Sequence, residues 1–153
     1  MKQDWIASLL GAWSADLTIG SILLRLALSM ALSAIIGCER SSKRHSAGLR
    51  TFILVSLAGT ATMLADCFLM QTAGVTLPLL SAAAVIGITT ISGNSILFSS
   101  KNQIKGLTTS VGLWCCGIVG LGLGAGLYTL ALLLFLALLC SMSGLPVLET
   151  HLK

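Results

Sequence analysis

The sequence predicts an all-α membrane protein: a polytopic helical bundle of about five spans forming one domain over residues 1–153, amino terminus outside and carboxyl terminus cytoplasmic. Three observations lead there. First, the chain is 56% hydrophobic and only 9% charged, with a mean hydropathy of +0.98. An ordinary soluble domain carries about 25% charged residues, so this chain lacks the polar surface that water demands. Second, apolar runs at 17–37, 49–70, 75–98, 107–123 and 127–145 approach the ~20 residues that cross a hydrocarbon core of about 30 Å. Third, Lys and Arg cluster in two connectors. Arg40, Lys43, Arg44 and Arg50 flank the first connector, and Lys101 with Lys105 flank the third. Two helices separate these connectors, so both fall on one side of the membrane, and the positive-inside rule makes that side cytoplasmic.

The same observations exclude other classes. A net charge of +4 reads as membrane topology and not as a nucleic-acid surface. The first run is no cleaved signal peptide, because Lys2 and Asp4 nearly cancel and no polar domain follows. Cys38, Cys67, Cys115, Cys116 and Cys140 lie in or beside apolar runs, where a thiol packs as a small hydrophobe, and no C-x-x-C pair occurs.

Before the first run, Trp5, Leu9 and Trp13 share one helical face. They suit either the outer interface or an extension of the first helix. Within the first span, Ser29, Ser33 and Gly37 at intervals of four form a smooth stripe for close helix contact. The third span is the least uniform, with Gly87, Thr89, Thr90, Ser92, Gly93, Asn94 and Ser95. It suits interhelical hydrogen bonding or a locally broken, ion-binding helix. The fourth ends in Gly117, Gly120, Gly122, Gly124 and Gly126; part of this run serves packing and part the outer turn. The last span is mostly Leu and Ala, a lipid-facing or scaffolding helix.

Two charges lie at membrane depth. Arg25 sits in the first span and Asp66 toward the outer end of the second, where an ion must be paired, hydrated or snorkelling. In antiparallel helices their heights differ by roughly 6 Å, so a salt bridge is one reading and ion or substrate handling the other. Asp16 is a second candidate partner for Arg25, at the interface where water hydrates it. At the cytoplasmic ends, Glu39, Arg50, Asn94 and Lys105 form a candidate polar cluster for an anion, a lipid headgroup or an acidic partner segment. No catalytic, cofactor or metal arrangement emerges. His45 and His151 stand apart, and the five acidic residues are scattered.

Two segments carry a family resemblance. Residues 24–51, LRLALSMALSAIIGCERSSKRHSAGLRT, and residues 104–114, IKGLTTSVGLW, resemble the MgtC/SapB family of bacterial inner-membrane proteins. The matching positions are Arg25, Gly37, Glu39, Arg40, 47–51 (AGLRT), Lys105, Gly106, Leu107, Thr108, Thr109 and Trp114. The resemblance implies a multi-pass inner-membrane protein linked to growth under low magnesium and to virulence, and the lack of a catalytic arrangement in the residues predicts that it is not an enzyme. The resemblance also implies a membrane protein partner such as ATP synthase or a cation transporter, while the small-residue stripes and basic loops point to membrane lipids and a second copy of the chain, a dimer favoured. The alternative is a transporter of magnesium, another ion or a small solute through a polar site in the bundle. This chain departs from the family pattern at Gly87 to Asn94, where polar or larger residues replace several glycines, and it stops before the cytoplasmic C-terminal domain of longer members.

Overall fold

A computed structural model describes residues 6, 14, 16–42, 47–98 and 104–144. The Trp5 and Trp13 ends of the amino-terminal segment, and Lys43, Arg44, His45, Lys101, His151 and Lys153, lie outside the described residues. Five helices account for most of them: α1 Ile19–Ser42, α2 Leu49–Thr72, α3 Leu79–Gly93, α4 Leu107–Gly124 and α5 Tyr128–Leu139. The last continues as a wider π-helical turn, Cys140–Gly144. Between α3 and α4, β1 Leu97–Phe98 and β2 Ile104–Lys105 form a two-residue antiparallel ladder, pairing Leu97 with Lys105 and Phe98 with Ile104.

Helices α1, α2 and α4 have the length and apolar composition to cross a membrane; α3 and α5 are shorter. The third apolar run therefore overstates its helix. Pro78 starts α3 and the chain turns at Asn94, leaving 15 residues, or about 22 Å at 1.5 Å per residue.

The centre of the bundle is the parallel pair α2 and α4, with α1 against α2, α3 against both, and α5 against α4. Lipid is as apolar as a leucine side chain, so close backbone approach replaces the hydrophobic effect as the source of helix association. Gly59 and Gly120 provide it. A Cβ on Gly59 would lie 2.5 Å from the Gly117 carbonyl oxygen, and one on Gly120 would run into the Ser56 carbonyl. The Thr60 hydroxyl lies 3.0 Å from both the Ser56 and Gly120 carbonyl oxygens. Around this seam pack Ile36, Phe52, Val55, Ile88, Leu113, Val119 and Leu123.

Helix α1 is amphipathic in the opposite sense to a helix in water. Its buried residues are Ser21, Arg25, Ser29, Ser33, Ile36, Gly37 and Arg40, while Ile19, Leu23, Met30 and Ile35 are exposed. The Ser29 hydroxyl meets that of Ser56 on α2 at 2.8 Å, and Ser33 bonds back to the Ser29 carbonyl at 2.6 Å. The stripe read in the sequence is thus the α1–α2 contact, with hydroxyls satisfied inside the bundle. In α5, Tyr128, Ala131, Phe135 and Leu138 are buried, and five leucines on its other face are exposed.

Candidate functional site

The two charges at membrane depth take separate partners. At the end of α4, the Gly126 amide bonds to the Leu123 carbonyl and the Leu127 amide to the Gly122 carbonyl. This is the Schellman closure, and it requires a left-handed residue; Gly126 supplies it with φ +77°. The Gly124 carbonyl stays outside that closure, and Arg25 Nη1 donates to it at 2.8 Å. Arg25 Nη2 donates to the Ser14 carbonyl at 2.9 Å and Nε to the Tyr128 hydroxyl at 3.2 Å. The Tyr128 hydroxyl in turn donates to the Ser14 carbonyl at 3.1 Å. A guanidinium therefore ties α1, residue 14, the last turn of α4 and the first of α5 together, its positive charge set against a helix C-terminus.

Asp66 lies on α2 and does not pair with Arg25. Its carboxylate accepts the Leu80 amide at 3.0 Å on Oδ1 and the Ser81 amide at 2.6 Å on Oδ2. Helix α3 begins at Pro78 with no side-chain cap and no acid in its first turn, so its free amides and positive dipole end are met by an acid from the neighbouring helix. The expected salt bridge is corrected for this reason: each ion finds orphan backbone groups at a helix end. Asp16, the other partner considered, is exposed. Asp66→Asn offers one carbonyl oxygen to two donors and turns its NH2 on the second. The expected loss is about 1–3 kcal/mol, seen as faster hydrogen exchange at the amides of residues 80 and 81.

The cluster expected at the other end does not assemble as drawn. Glu39 Oε2 accepts the Ser143 hydroxyl at 2.5 Å, and Arg40 Nη2 donates to the Met142 carbonyl at 3.3 Å. Adjacent residues of α1 thus hold the turn that ends α5. Met142 is buried, and its Cε fills the space that a side chain on Gly112 would need. Arg50 is exposed in the first turn of α2 and forms no ion pair with Glu39; Asn94 is exposed at the end of α3. Lys105 lies on β2, next to Gly106 at the start of α4. Glu39 is directed to α5 because the π-helical turn brings Ser143 alongside α1.

Of the threonines, Thr108 is exposed and Thr109 is buried in the first turn of α4. In the altered stretch of α3, the Thr89 hydroxyl accepts the Trp114 indole N–H at 3.1 Å, so one of the polar replacements joins α3 to α4. Thr90 bonds back to its own helix at the Ile86 carbonyl. A groove of about 300 Å³ between α4 and α5 is lined by Val111, Trp114, Cys115, Ile118, Leu134, Ala137, Leu138 and Ser141. Its lining is almost wholly apolar. Among the described residues no three His, Cys, Asp or Glu side chains converge as metal ligands.

Tyr128 and Ser143 were missed by the sequence reading. Tyr128 is the chain's one tyrosine, and a phenol at a helix start near an intramembrane arginine was a usable signal. Ser143 carried none, because its role depends on the π-helical turn.

Comparison with known proteins shows the family. The MgtC family model matches residues 26–151. YhiD of Escherichia coli (strain K12), named as a candidate magnesium transporter, is 30% identical over 116 residues, covering 72% of this chain and 54% of its own. Protein MgtC of Brucella abortus (strain 2308) is 36% identical over 102 residues, 67% of this chain and 42% of its own. Protein MgtC of Salmonella typhimurium (strain 14028s) is 32% identical over 119 residues, 78% and 50% respectively. The chain spans about half the length of these curated relatives. No solved structure matches. The match over residues 26–151, which contains both quoted motifs except for Leu24 and Arg25, makes this chain a membrane protein of the MgtC family.

Proposed function

We propose that this chain is a multi-pass inner-membrane protein that modulates other membrane components through its surface, as a homo-oligomer, in the physiology of magnesium limitation and virulence. The observation that carries this is the use made of the intramembrane charges. Arg25 and Asp66 are both engaged by backbone groups at helix ends, which gives them structural work. Meanwhile α3 turns Ala83, Gly87, Thr90 and Asn94 outward, and a side chain added at Gly87 would meet nothing within 4 Å. Such an outward small-residue stripe suits a second copy, a dimer being the simplest closed form. In this reading the end bearing Arg40, Arg50 and Lys105 faces the cytoplasm, and a reagent impermeant to the membrane labels Arg50→Cys from that side alone. The third party is a membrane protein of the kind the family implies, ATP synthase or a cation transporter.

The test is Gly87→Leu, crosslinked in native membranes. Loss of the dimer with unchanged thermal stability supports the reading; an unchanged dimer removes α3 from it, and a monomeric wild type sinks it. The transport reading draws on the name of the Escherichia coli relative. Proteoliposome flux of Mg²⁺ and protons, compared with Asp66→Asn and Asn94→Ala, decides that one: flux no greater than empty liposomes ends it.

A further inference from the structure

We infer that Arg40 is the pole of an oxyanion site, of phosphate type, at the junction of the α1 end with the π-helical turn after α5. Arg40 is 4% exposed. Its Nε is enclosed without a hydrogen-bond partner, and its bond to the Met142 carbonyl, at 3.3 Å, is longer than those of Arg25 to Tyr128, Gly124 and Ser14. The same side chain fifteen residues earlier in the same helix places three nitrogens on three acceptors, so the fold can satisfy an arginine where it needs to. Among the described residues Arg40 has no counter-charge. Glu39 turns to Ser143, and Asp16 and Asp66 belong to the opposite end of the bundle. An enclosed guanidinium with an unmet donor and no carboxylate is a receptor lacking its anion.

Arg40 lies in the last turn of α1, and two neighbouring helix starts favour negative charge beside it. Helix α2 begins at Gly48 and α4 at Gly106, each without a side-chain cap and without an acid in the first turn, so two positive dipole ends lie at this end of the bundle. Gly48 lies against Ser41, the residue after Arg40. Arg50, exposed in the first turn of α2, adds to the same field. A tetrahedral oxyanion takes two donors from the planar guanidinium where the Met142 carbonyl takes one. At a membrane boundary that oxyanion is a lipid phosphate or free inorganic phosphate. The site does not depend on the dimer, because Gly87 lies on another helix and its variant reads a different property.

The experiment uses the full chain in nanodiscs of neutral phosphatidylcholine, with two additions in separate arms: phosphatidylglycerol in the bilayer, or inorganic phosphate in the buffer. The unfolding midpoint of the wild type rises by about 5 °C or more at saturation in at least one arm, and the arm that responds identifies the source. Arg40→Gln loses the rise and Arg50→Gln keeps it. Should Arg40→Gln fail to fold, Arg40→Lys, which keeps the charge and loses the planar fork, shows at least tenfold weaker dependence on the same probe. A wild type without a rise in either arm overturns the site. So does a rise that survives intact in Arg40→Gln or Arg40→Lys, or one abolished equally by Arg50→Gln, which marks diffuse surface attraction.

Discussion

Gly120→Ala will destabilise the bundle more than any other single added methyl group on α4. The new Cβ has only the Ser56 carbonyl to move into. That obstacle is backbone in the middle of α2, not the end of a flexible side chain, so the two central helices must separate to admit it. Overpacking of this kind costs about 1–3 kcal/mol, and parting the helices also stretches the 3.0 Å contact between Thr60 and the Gly120 carbonyl. Thermal unfolding in detergent measures it, with a midpoint lowered by roughly 2–4 °C per kcal/mol for a chain of this size. Gly120→Leu yields no monodisperse protein. Gly122→Ala is the control: its Cβ would meet that of Ala131 at 3.4 Å, an ordinary contact, and the expected change stays within about 0.5 kcal/mol. Equal effects at both positions refute the seam.

Arg25→Met will cost about 3–5 kcal/mol, because it strands the Gly124 carbonyl and removes the charged donor shared by the Ser14 carbonyl and the Tyr128 hydroxyl, which keep their bond to each other. Against a total stability of about 5–15 kcal/mol, that is a large share. Arg25→Lys restores part of the loss by keeping the charge while losing the fork that reaches three acceptors. Tyr128→Phe removes one shared hydroxyl and costs about 1 kcal/mol. Denaturant titration of the three variants gives the order Met, Lys, Phe from worst to mildest. A normally stable Arg25→Met would contradict the structural role and return Arg25 to the transport reading.

Both predictions concern features that the sequence announced unequally. The glycines from 117 to 126 were readable as a mixture of packing and turn, because a missing Cβ has only those uses in a membrane helix. Their division was not readable. Gly117, Gly120 and Gly124 face α2 or α3, Gly122 faces α5, and Gly126 makes the left-handed turn; the assignment depends on which neighbour lies on which side. Arg25 and Asp66 were legible as charges in need of partners. The sequence argument compared their heights along two helices and joined them, but it had no access to the orphan amides at α3 or the orphan carbonyl of α4. Those groups appear only when helix ends are placed in space, and at membrane depth they compete for an ion as strongly as an opposite charge does.

The basic end followed the same pattern. The motif around Glu39 and Arg40 marked it as important, while the cluster of Glu39, Arg50, Asn94 and Lys105 was drawn from proximity along helix axes alone. The π-helical turn after α5 changes the pairing by presenting Ser143 and Met142 to α1.

The sequence by itself determined that this is a helical membrane protein, where its apolar runs lie, and which family it resembles. Those properties rest on composition, periodicity and short motifs, all of them local. The tertiary structure decided which of the five helices are long enough to cross, which glycines touch, and what each buried charge does. These depend on backbone groups exposed at helix ends and on the neighbour that chain folding sets beside them, and no local pattern of residues encodes that neighbour.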